Sequence, residues 1–315
     1  MTGNISVIIV SWNARSYLRG CLDSIYRSEV TVLREVIVVD NASSDGSPEM
    51  VSELYPEVVL IKAGENLGFA RANNLGLSRA TGEWLAFINS DVLVHDQCLQ
   101  RLVSFLNAHP DVGLAGPRVV GGNGELQRTC RRFPTLWNTV CRVFALDNIL
   151  GRWSLFSGRD MRHWNHLEEA NVEVVSGCFW MARRGAVESV GGLDSRFFFY
   201  AEDVDWCKRF RDSGWSVAYD PQSSATHFGG GSSGNAPLRY SIEMLRANLS
   251  YWQKYKGLPG RLAFYILSIF HHGVRVILRA GMVMFDRDAS SEKAYKLRRS
   301  WHCLRWLLGR SVDAP

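Results

Sequence analysis

Short apolar runs alternate with amphipathic helical patterns along the first third of the chain. The apolar runs end abruptly in polar residues, as strands buried on both faces of a parallel sheet do. Between them, apolar residues recur at helical spacing, for example Leu18, Leu22 and Ile25. This alternation predicts an α/β domain with a mainly parallel sheet. The predicted strands are Ile5–Val10, Val36–Val39, Val58–Ile61, Leu85–Ile88 and Val112–Ala115.

The alternation stops after Arg118, and no clear element is predicted from there to about Asn171. A segment this long without regular structure is usually functional or mobile. Regular patterns return at Val174–Ala182 and Ser216–Tyr219, and a glycine-rich run at Gly229–Gly234 then predicts a flexible break. We therefore divide the chain into an α/β domain, residues 1–235, and a helical C-terminal region, residues 236–315.

The two predicted regions differ in charge. Residues 238–315 hold 14 Lys and Arg against 5 Asp and Glu, whereas the remaining residues hold 22 against 26. A basic tail indicates an anionic partner, either a lipid surface or nucleic acid. The apolar run Leu262–Phe270 is followed by Arg275 and Arg279, so it is shorter than the ~20 residues that span a bilayer. We expect a helix lying in the membrane interface; the alternative is an appendage packed on the α/β domain.

Cysteine usage and the N-terminus bear on the compartment. The seven cysteines are odd in number and form no C-x-x-C pair, which argues against a disulfide framework or a zinc ribbon. They fit a reducing compartment. The first residues lead into an apolar run without a basic segment, so we expect no signal peptide.

Three predicted strands end in polar side chains. Ser11 and Asn13 follow the first strand, Asp40 the second, and Asn89 and Asp91 the fourth. Ligands of open α/β sheets bind at the carboxyl ends of the strands, so three polar ends favour a binding site. Turn formation by Asp and Asn is the alternative for any one of them. The glycine fingerprint G-x-G-x-x-G is absent after the first strand, which disfavours dinucleotide binding.

The tripeptide Asn89-Ser90-Asp91 is similar to the D-x-D element that carries a divalent cation in nucleotide-sugar enzymes. Mg²⁺ needs only one or two protein carboxylates beside phosphate oxygens, so Asp91 alone can suffice. Capping of a helix is the alternative role for Asp91. His227 is a further candidate ligand, although a lone histidine is more often structural.

A second acidic cluster contains Glu202, Asp203 and Asp205 and follows an aromatic run. Carboxylates beside apolar surface tend to have raised pKa values, which suits a general base. The alternative is that these acids occupy the first turn of a helix, where they favour the helix dipole. Glu202, Asp205 and Trp180 are candidates for the acceptor side of a site.

Five motifs in order resemble the GT-A fold glycosyltransferases of family 2, most closely the bacterial rhamnosyltransferase-like branch. The resemblance covers about residues 4–235. The motifs are Val7-Ile8-Ile9-Val10-Ser11-Trp12-Asn13, Val39-Asp40-Asn41-Ala42-Ser43-Ser44-Asp45-Gly46-Ser47, Asn66-Leu67-Gly68-Phe69-Ala70-Arg71-Ala72-Asn73-Asn74-Leu75-Gly76, Phe87-Ile88-Asn89-Ser90-Asp91, and Gly191-Gly192-Leu193-Asp194 through Phe198-Phe199-Tyr200-Ala201-Glu202-Asp203-Val204-Asp205.

The resemblance implies a role for each matching residue. Asp40 would bond the pyrimidine base of the donor, while Asp91 and His227 would hold Mg²⁺ or Mn²⁺ against its diphosphate. Asp203 would be the base that deprotonates the acceptor. Asn89 departs from the D-x-D pattern and removes one carboxylate. The residues expected to line the donor nucleotide pocket are Ser11, Asn13, Asp40, Asn66, Arg71 and Asn89.

The implied function is the inverting transfer of a sugar from a dTDP- or UDP-linked donor. A deoxyhexose such as rhamnose is the best candidate for that sugar. The acceptor would be a glycan or a lipid-linked glycan of bacterial surface polysaccharide synthesis. The enzyme would be cytoplasmic and peripheral on the inner face of the cell membrane, and a homodimer is left open. A catalytically inactive nucleotide-sugar binding protein is the alternative. Nucleic-acid binding is disfavoured because no recognisable reading motif is present.

Overall fold

The computed structural model describes residues 4–28, 33–230, 237–285 and 291–310. The chain forms two compact units. The first contains residues 1–133, 164–198 and 202–235, and the second contains residues 134–163, 199–201 and 236–315. The sequence-based division at residue 235 did not foresee that residues 134–163 join the C-terminal helices. Part of the predicted break, residues 231–234, lies outside the described residues.

The first unit is built on one mixed sheet with the strand order β3-β2-β1-β4-β11-β6-β12-β5. Strands β3, β2, β1 and β4 are parallel, while β11 runs antiparallel to β4 and β6. The prediction of an α/β fold with a mainly parallel sheet is therefore confirmed. The strands are β1 (Ile5–Ser11), β2 (Leu33–Asp40), β3 (Val59–Lys62), β4 (Trp84–Asn89), β5 (Val92–Val94), β6 (Val112–Val120), β7 (Leu126–Gln127), β8 (Cys130–Arg131), β9 (Ala170–Asn171), β10 (Val174–Val175), β11 (Phe179–Arg183) and β12 (Ser216–His227).

The helices of the first unit cover this sheet and bury its apolar strands. Ile5, Ile8 and Ile9 of β1 have no exposed surface, because helices pack on both faces of the central strands. Over both units, the helices of the described residues are α1 (Arg15–Arg27), α2 (Ser47–Leu54), α3 (Gly68–Leu77), α4 (Cys98–Ala108), α5 (Leu136–Val143), α6 (Leu146–Ile149), α7 (Arg184–Val190), α8 (Glu202–Asp212), α9 (Pro237–Phe285) and α10 (Ser291–Leu307). Of these, α5, α6, α9 and α10 belong to the second unit.

The register of the central strands decides where their polar ends lie. Ser11 pairs with Asp40 across β1 and β2, and Val10 pairs with Asn89 across β1 and β4. The polar residues that follow these three strands therefore share one edge of the sheet. This is the edge at which open α/β sheets bind ligands.

The second unit is helical, and its longest helix is kinked. Gly257 adopts a φ of 63° inside α9, two residues before Pro259, and the helix changes direction there. Helix α10 packs on α9 through Leu245, Cys303 and Leu307. Most of the large apolar side chains that are exposed among the described residues belong to this unit.

Helix α9 is long and apolar enough to cross a membrane. Its residues Pro237–Val283 contain an 18-residue window with a mean hydropathy of 1.3, and only 6% of that window is buried. The sequence-based rejection of a spanning helix counted too short a stretch. A spanning helix and a helix lying in the interface share this length and composition, so these two properties do not decide between them.

All seven cysteines are unpaired and buried. Burial raises the pKa of each thiol, because a thiolate loses its hydration inside the protein. The thiols are accordingly protonated at neutral pH and behave as small apolar side chains.

Gly68 and Gly64 form a matched pair for testing the turn before α3. Both have a positive φ, +76° and +77°, but a Cβ atom at Gly68 would clash with the carbonyl oxygen of Phe198, whereas one at Gly64 meets nothing within 4 Å. Gly64→Ala should cost only the left-handed backbone strain of about 1–2 kcal/mol. We expect Gly68→Ala to lower the free energy of unfolding by clearly more, as measured by chemical denaturation. Equal losses would mean that the Phe198 contact is not tight.

Candidate active site

Two buried oxygen atoms at the shared sheet edge lack hydrogen-bond partners. Asp40 and Ser11 are both buried, and Asp40 Oδ2 accepts a hydrogen bond from the backbone N–H of Ser43 at 3.1 Å. Within the described part of the chain, nothing bonds Asp40 Oδ1 or Ser11 Oγ. Buried polar atoms are almost always satisfied, so these two atoms fit a ligand that supplies the missing partners.

The loops around this edge are tied together by asparagine side chains. Asn13, with a φ of 48°, accepts a hydrogen bond from the N–H of Ser44 at 2.8 Å, and its own N–H donates to Ser43 Oγ at 2.9 Å. Asn41 Nδ2 donates to Asn66 Oδ1 at 2.9 Å. The backbone that follows β1 and β2 is thereby held in one conformation.

The predicted pocket residues therefore differ in what they do. Asn13 and Asn66 use their side-chain oxygens to hold loops. Arg71 is exposed on α3 and makes no ion pair with a described residue. The N–H of Asn89 donates to the carbonyl oxygen of Cys178 at 2.9 Å, which joins the end of β4 to the residue before β11.

Asp91 and His227 lie in contact where β5 pairs with β12. His227 Nε2 is 3.3 Å from Asp91 Oδ1, and the N–H of Phe228 donates to the carbonyl oxygen of Asp91 at 3.0 Å. Asp91 precedes a strand, so capping of a helix does not explain it. Asp91 and His227 lie far apart in the sequence, and the pairing of β5 with β12 brings them together.

Gln127 of β7 sets the orientation of the His227 ring. Gln127 Oε1 is 2.9 Å from His227 Nδ1, and Gln127 Nε2 donates to the carbonyl oxygen of His227 at 2.6 Å. Because the amide oxygen can only accept, Nδ1 is the donor in this contact, and Nε2 is the ring nitrogen that faces Asp91. A carboxylate and an imidazole fit a divalent cation that takes its other ligands from phosphate. No three His, Cys, Asp or Glu side chains cluster as a closed metal cage in the described ranges.

Asp203 lies in the first turn of α8. Burial raises the pKa of Cys178 to about 12; the charge of Arg131 lowers this pKa, whereas the charges of Asp91 and Asp203 raise it. Asp203 Oδ2 is 3.7 Å from the guanidinium of Arg131 on β8. The two residues before α8, Tyr200 and Ala201, both have a positive φ. Consecutive strained residues of this kind are typical of functional sites.

Comparison with known proteins assigns the family. Residues 6–191 match the model for glycosyl transferase family 2, which is more than half of the chain. The chain belongs to this family. The matched range contains the sheet edge with Ser11, Asp40 and Asp91, whereas Asp203 and His227 lie beyond it.

Two relatives and one solved structure show what this family 2 glycosyltransferase is similar to. It is 28% identical over 254 residues to N-acetylglucosaminyl-diphospho-decaprenol L-rhamnosyltransferase of Mycobacterium tuberculosis, covering 76% of this chain and 81% of the relative. It is 28% identical to the glycosyltransferase AglE of Haloferax volcanii, covering 68% of this chain and 64% of the relative. A mannosyltransferase of Pyrobaculum calidifontis, solved with GDP-Man and Mn²⁺, has the same fold, with a TM-score of 0.60 at 17% identity over 99% of this chain and 88% of the other.

Two residues predicted on the acceptor side, Trp180 and Asp205, are buried in the structure. Trp180 has no exposed surface, and its indole N–H donates to the carbonyl oxygen of Val175 at 3.0 Å, so it belongs to the aromatic core. Asp205 is also fully buried, and Arg209 Nε donates to its Oδ2 at 2.8 Å. Arg209 bonds two further backbone carbonyls, so this ion pair holds the start of α8 in place.

Glu202 is the more informative acid beside Asp203. It is buried, and its Oε2 has no partner among the described residues. Burial, and next the charge of Asp203, raise the pKa of Glu202 well above its ordinary value. Glu202 therefore favours its protonated form next to Asp203.

Gln127 and Arg131 complete the site but are not clearly predicted by the sequence. Gln127 lies in a two-residue strand without a periodic pattern, and its role depends on the pairing of β7 with β6. Arg131 lies in the stretch for which no element was predicted, and its guanidinium is beside Asp203.

The raised pKa of Glu202 makes a pH-dependent prediction about stability. The native state keeps a proton that the unfolded chain releases near pH 4.5, so this contribution to stability is present at acid pH and is lost as the pH rises toward the native pKa. Glu202→Gln cannot ionise. We expect its free energy of unfolding, relative to wild type, to increase with pH above about 4.5. The exposed Glu125→Gln is the control, and a pH-independent difference for Glu202→Gln would contradict the prediction.

Proposed function

We propose that this glycosyltransferase moves a sugar from a dTDP- or UDP-linked donor to a glycan or lipid-linked acceptor. A deoxyhexose such as rhamnose is the best candidate for the sugar. The observation that carries the proposal is the contact between Asp91 and His227, at 3.3 Å, beside a sheet edge where Asp40 and Ser11 keep unpaired buried oxygens. A nucleoside diphosphate needs both features, because its base requires hydrogen bonds and its diphosphate requires positive charge.

Asp40 Oδ1 would accept a hydrogen bond from the pyrimidine base, and Ser11 Oγ would bond the same nucleoside. Asn13 and Asn66 would keep the surrounding loops in the binding conformation, which reduces the entropy lost on binding. Asp91 and His227 would hold Mg²⁺ or Mn²⁺, which when bound offsets the charge of the diphosphate.

Asp203 would act as the general base. Its carboxylate takes the proton from the acceptor hydroxyl while that oxygen bonds the anomeric carbon and the nucleoside diphosphate leaves from the opposite side. This single displacement inverts the anomeric centre. Arg131, 3.7 Å away, would orient the carboxylate. A positioned base typically contributes 10²–10⁴-fold to the rate.

The second unit supports a membrane-linked acceptor at the cytoplasmic face. Leu258, Leu262, Ile266 and Phe270 of α9 are all exposed and recur every four residues, so they lie along one face of the helix. The same region carries the basic excess of the chain. The mycobacterial relative is named for a decaprenol-linked substrate. We therefore propose peripheral attachment to the inner face of the membrane and a role in surface polysaccharide synthesis.

Donor binding tests the site directly. In a thermal-shift screen of nucleotide sugars with Mg²⁺ or Mn²⁺, we expect one dTDP- or UDP-sugar to raise the Tm most, and EDTA to remove the effect. Asp91→Ala should bind the donor weakly and lose turnover, since the cation site is incomplete. Stabilisation without any turnover in the wild type would favour an inactive nucleotide-sugar binding protein. Full activity in EDTA would contradict metal dependence.

Asp203→Asn tests the base. The amide keeps the shape of the side chain but cannot take a proton, so we expect turnover to fall by at least about 100-fold with near-normal donor binding. Asp205→Asn is the matched control two residues away; it should act through stability and not through the chemical step. If Asp203→Asn retains more than about a tenth of wild-type turnover, another group is the base.

A further inference from the structure

The second unit contains a cavity of about 400 Å³ that the transfer reaction does not use. Its walls come from α5, α9 and α10 and from the segment after α6. Four arginines line it, Arg142, Arg159, Arg275 and Arg299, whereas no acidic side chain does. Its volume falls in the range of small-molecule sites.

The positive charge around this cavity exceeds the nearby negative charge. Arg142 is paired with Asp147 at 3.2 Å and with Asp160 at 2.6 Å. Arg275 and Arg299 form no ion pair with any residue in the described ranges. Burial lowers the pKa of Arg275, and the charges of Arg279, Arg142 and Arg299 lower it further. Like charges held this close repel one another, and an anion between them would remove that repulsion.

Two aromatic side chains at the cavity also carry unsatisfied nitrogens. Trp252 is 2% exposed, and its indole N–H has no acceptor among the described residues. His272 Nδ1 is buried and likewise without a partner there. Both residues line the cavity. A buried N–H without an acceptor costs roughly 1–3 kcal/mol, so Trp252 also fits a site that receives an oxygen-bearing ligand.

The cavity and the exposed apolar side chains of α9 lie on neighbouring faces of that helix. Phe264, Leu267 and His271 of α9 line the cavity, while Leu262, Ile266 and Phe270 of the same helix are exposed. A ligand with its anionic group among the arginines would therefore have apolar surface beside it. A lipid with an anionic headgroup combines this charge with hydrocarbon, whereas a free anion has no apolar part.

We propose that this cavity binds the phosphate or diphosphate ester group of a lipid, with its hydrocarbon chain along the exposed face of α9. Arginine is suited to this group because its planar guanidinium bonds two phosphate oxygens at once. The inference deepens the proposed function and rests on it for the membrane setting, but it does not depend on the transfer chemistry. It makes Arg275 and Arg299 headgroup ligands.

The test is vesicle sedimentation of the full chain with no donor present. Vesicles contain phosphatidylcholine with phosphatidic acid, with a polyprenyl phosphate, or with phosphatidylglycerol adjusted to equal surface charge. We expect binding about tenfold tighter to the two lipids with a terminal phosphate than to phosphatidylglycerol. Free inorganic phosphate and a single-stranded oligonucleotide are added as competitors. Equal binding to all anionic vesicles, or full displacement by free phosphate or by the oligonucleotide at equal phosphate concentration, would overturn the proposal.

Arg299 and Arg298 supply a matched control for charge. They are adjacent on α10, but only Arg299 lines the cavity, while Arg298 is exposed. Arg299→Gln and Arg275→Gln should each reduce the roughly tenfold preference for a terminal phosphate to about one. Arg298→Gln should keep the preference for a terminal phosphate and weaken binding to all anionic vesicles by the same factor. Circular dichroism checks folding, and if one cavity variant is unfolded the other decides. Equal effects of Arg298→Gln and Arg299→Gln would contradict a specific site, whatever the turnover of the enzyme.

Discussion

The parallel pairing of β1 with β2 and β4 is the constraint on which the candidate active site depends. Its register aligns Ser11 with Asp40 and Val10 with Asn89, so three polar strand ends meet without any contact between their side chains being required. A one-residue slip would turn the buried apolar side chains of these strands to the opposite face. The hydrophobic core therefore protects the geometry of the site, because the site cannot shift without exposing the core.

The sequence predicted those parts of the molecule that depend on local pattern. The strands around Ile5–Val10 and Leu85–Ile88 were found from their apolar runs, and the structure extends each by one residue or two. Asp40 and Asp91 were selected because polar residues at strand ends carry ligand chemistry, and His227 was selected as a further candidate metal ligand. What brings Asp91 to His227 is the antiparallel pairing of β5 and β12, which no local pattern contains.

The features that the sequence did not indicate have a common physical origin. Trp180 and Asp205 were chosen for residue type, but exposure depends on packing, and both are fully buried. Residues 134–163 lack a strong periodic pattern because their helices are short, with α6 only four residues long. Their assignment to the second unit comes from tertiary packing, which propensity does not report. Gln127 escaped notice because its partner lies 100 residues further along the chain.

The burial of all seven thiols has a practical consequence for studying this enzyme. A protonated thiol without solvent access reacts slowly with maleimides and similar reagents, because the thiolate is the reactive species. In the native fold the chain thus resembles a cysteine-free background. A single cysteine introduced on the exposed face of α9 would be the preferred attachment point for a fluorescent or spin label. Such a label would report the depth of that helix in a bilayer without removal of any native cysteine.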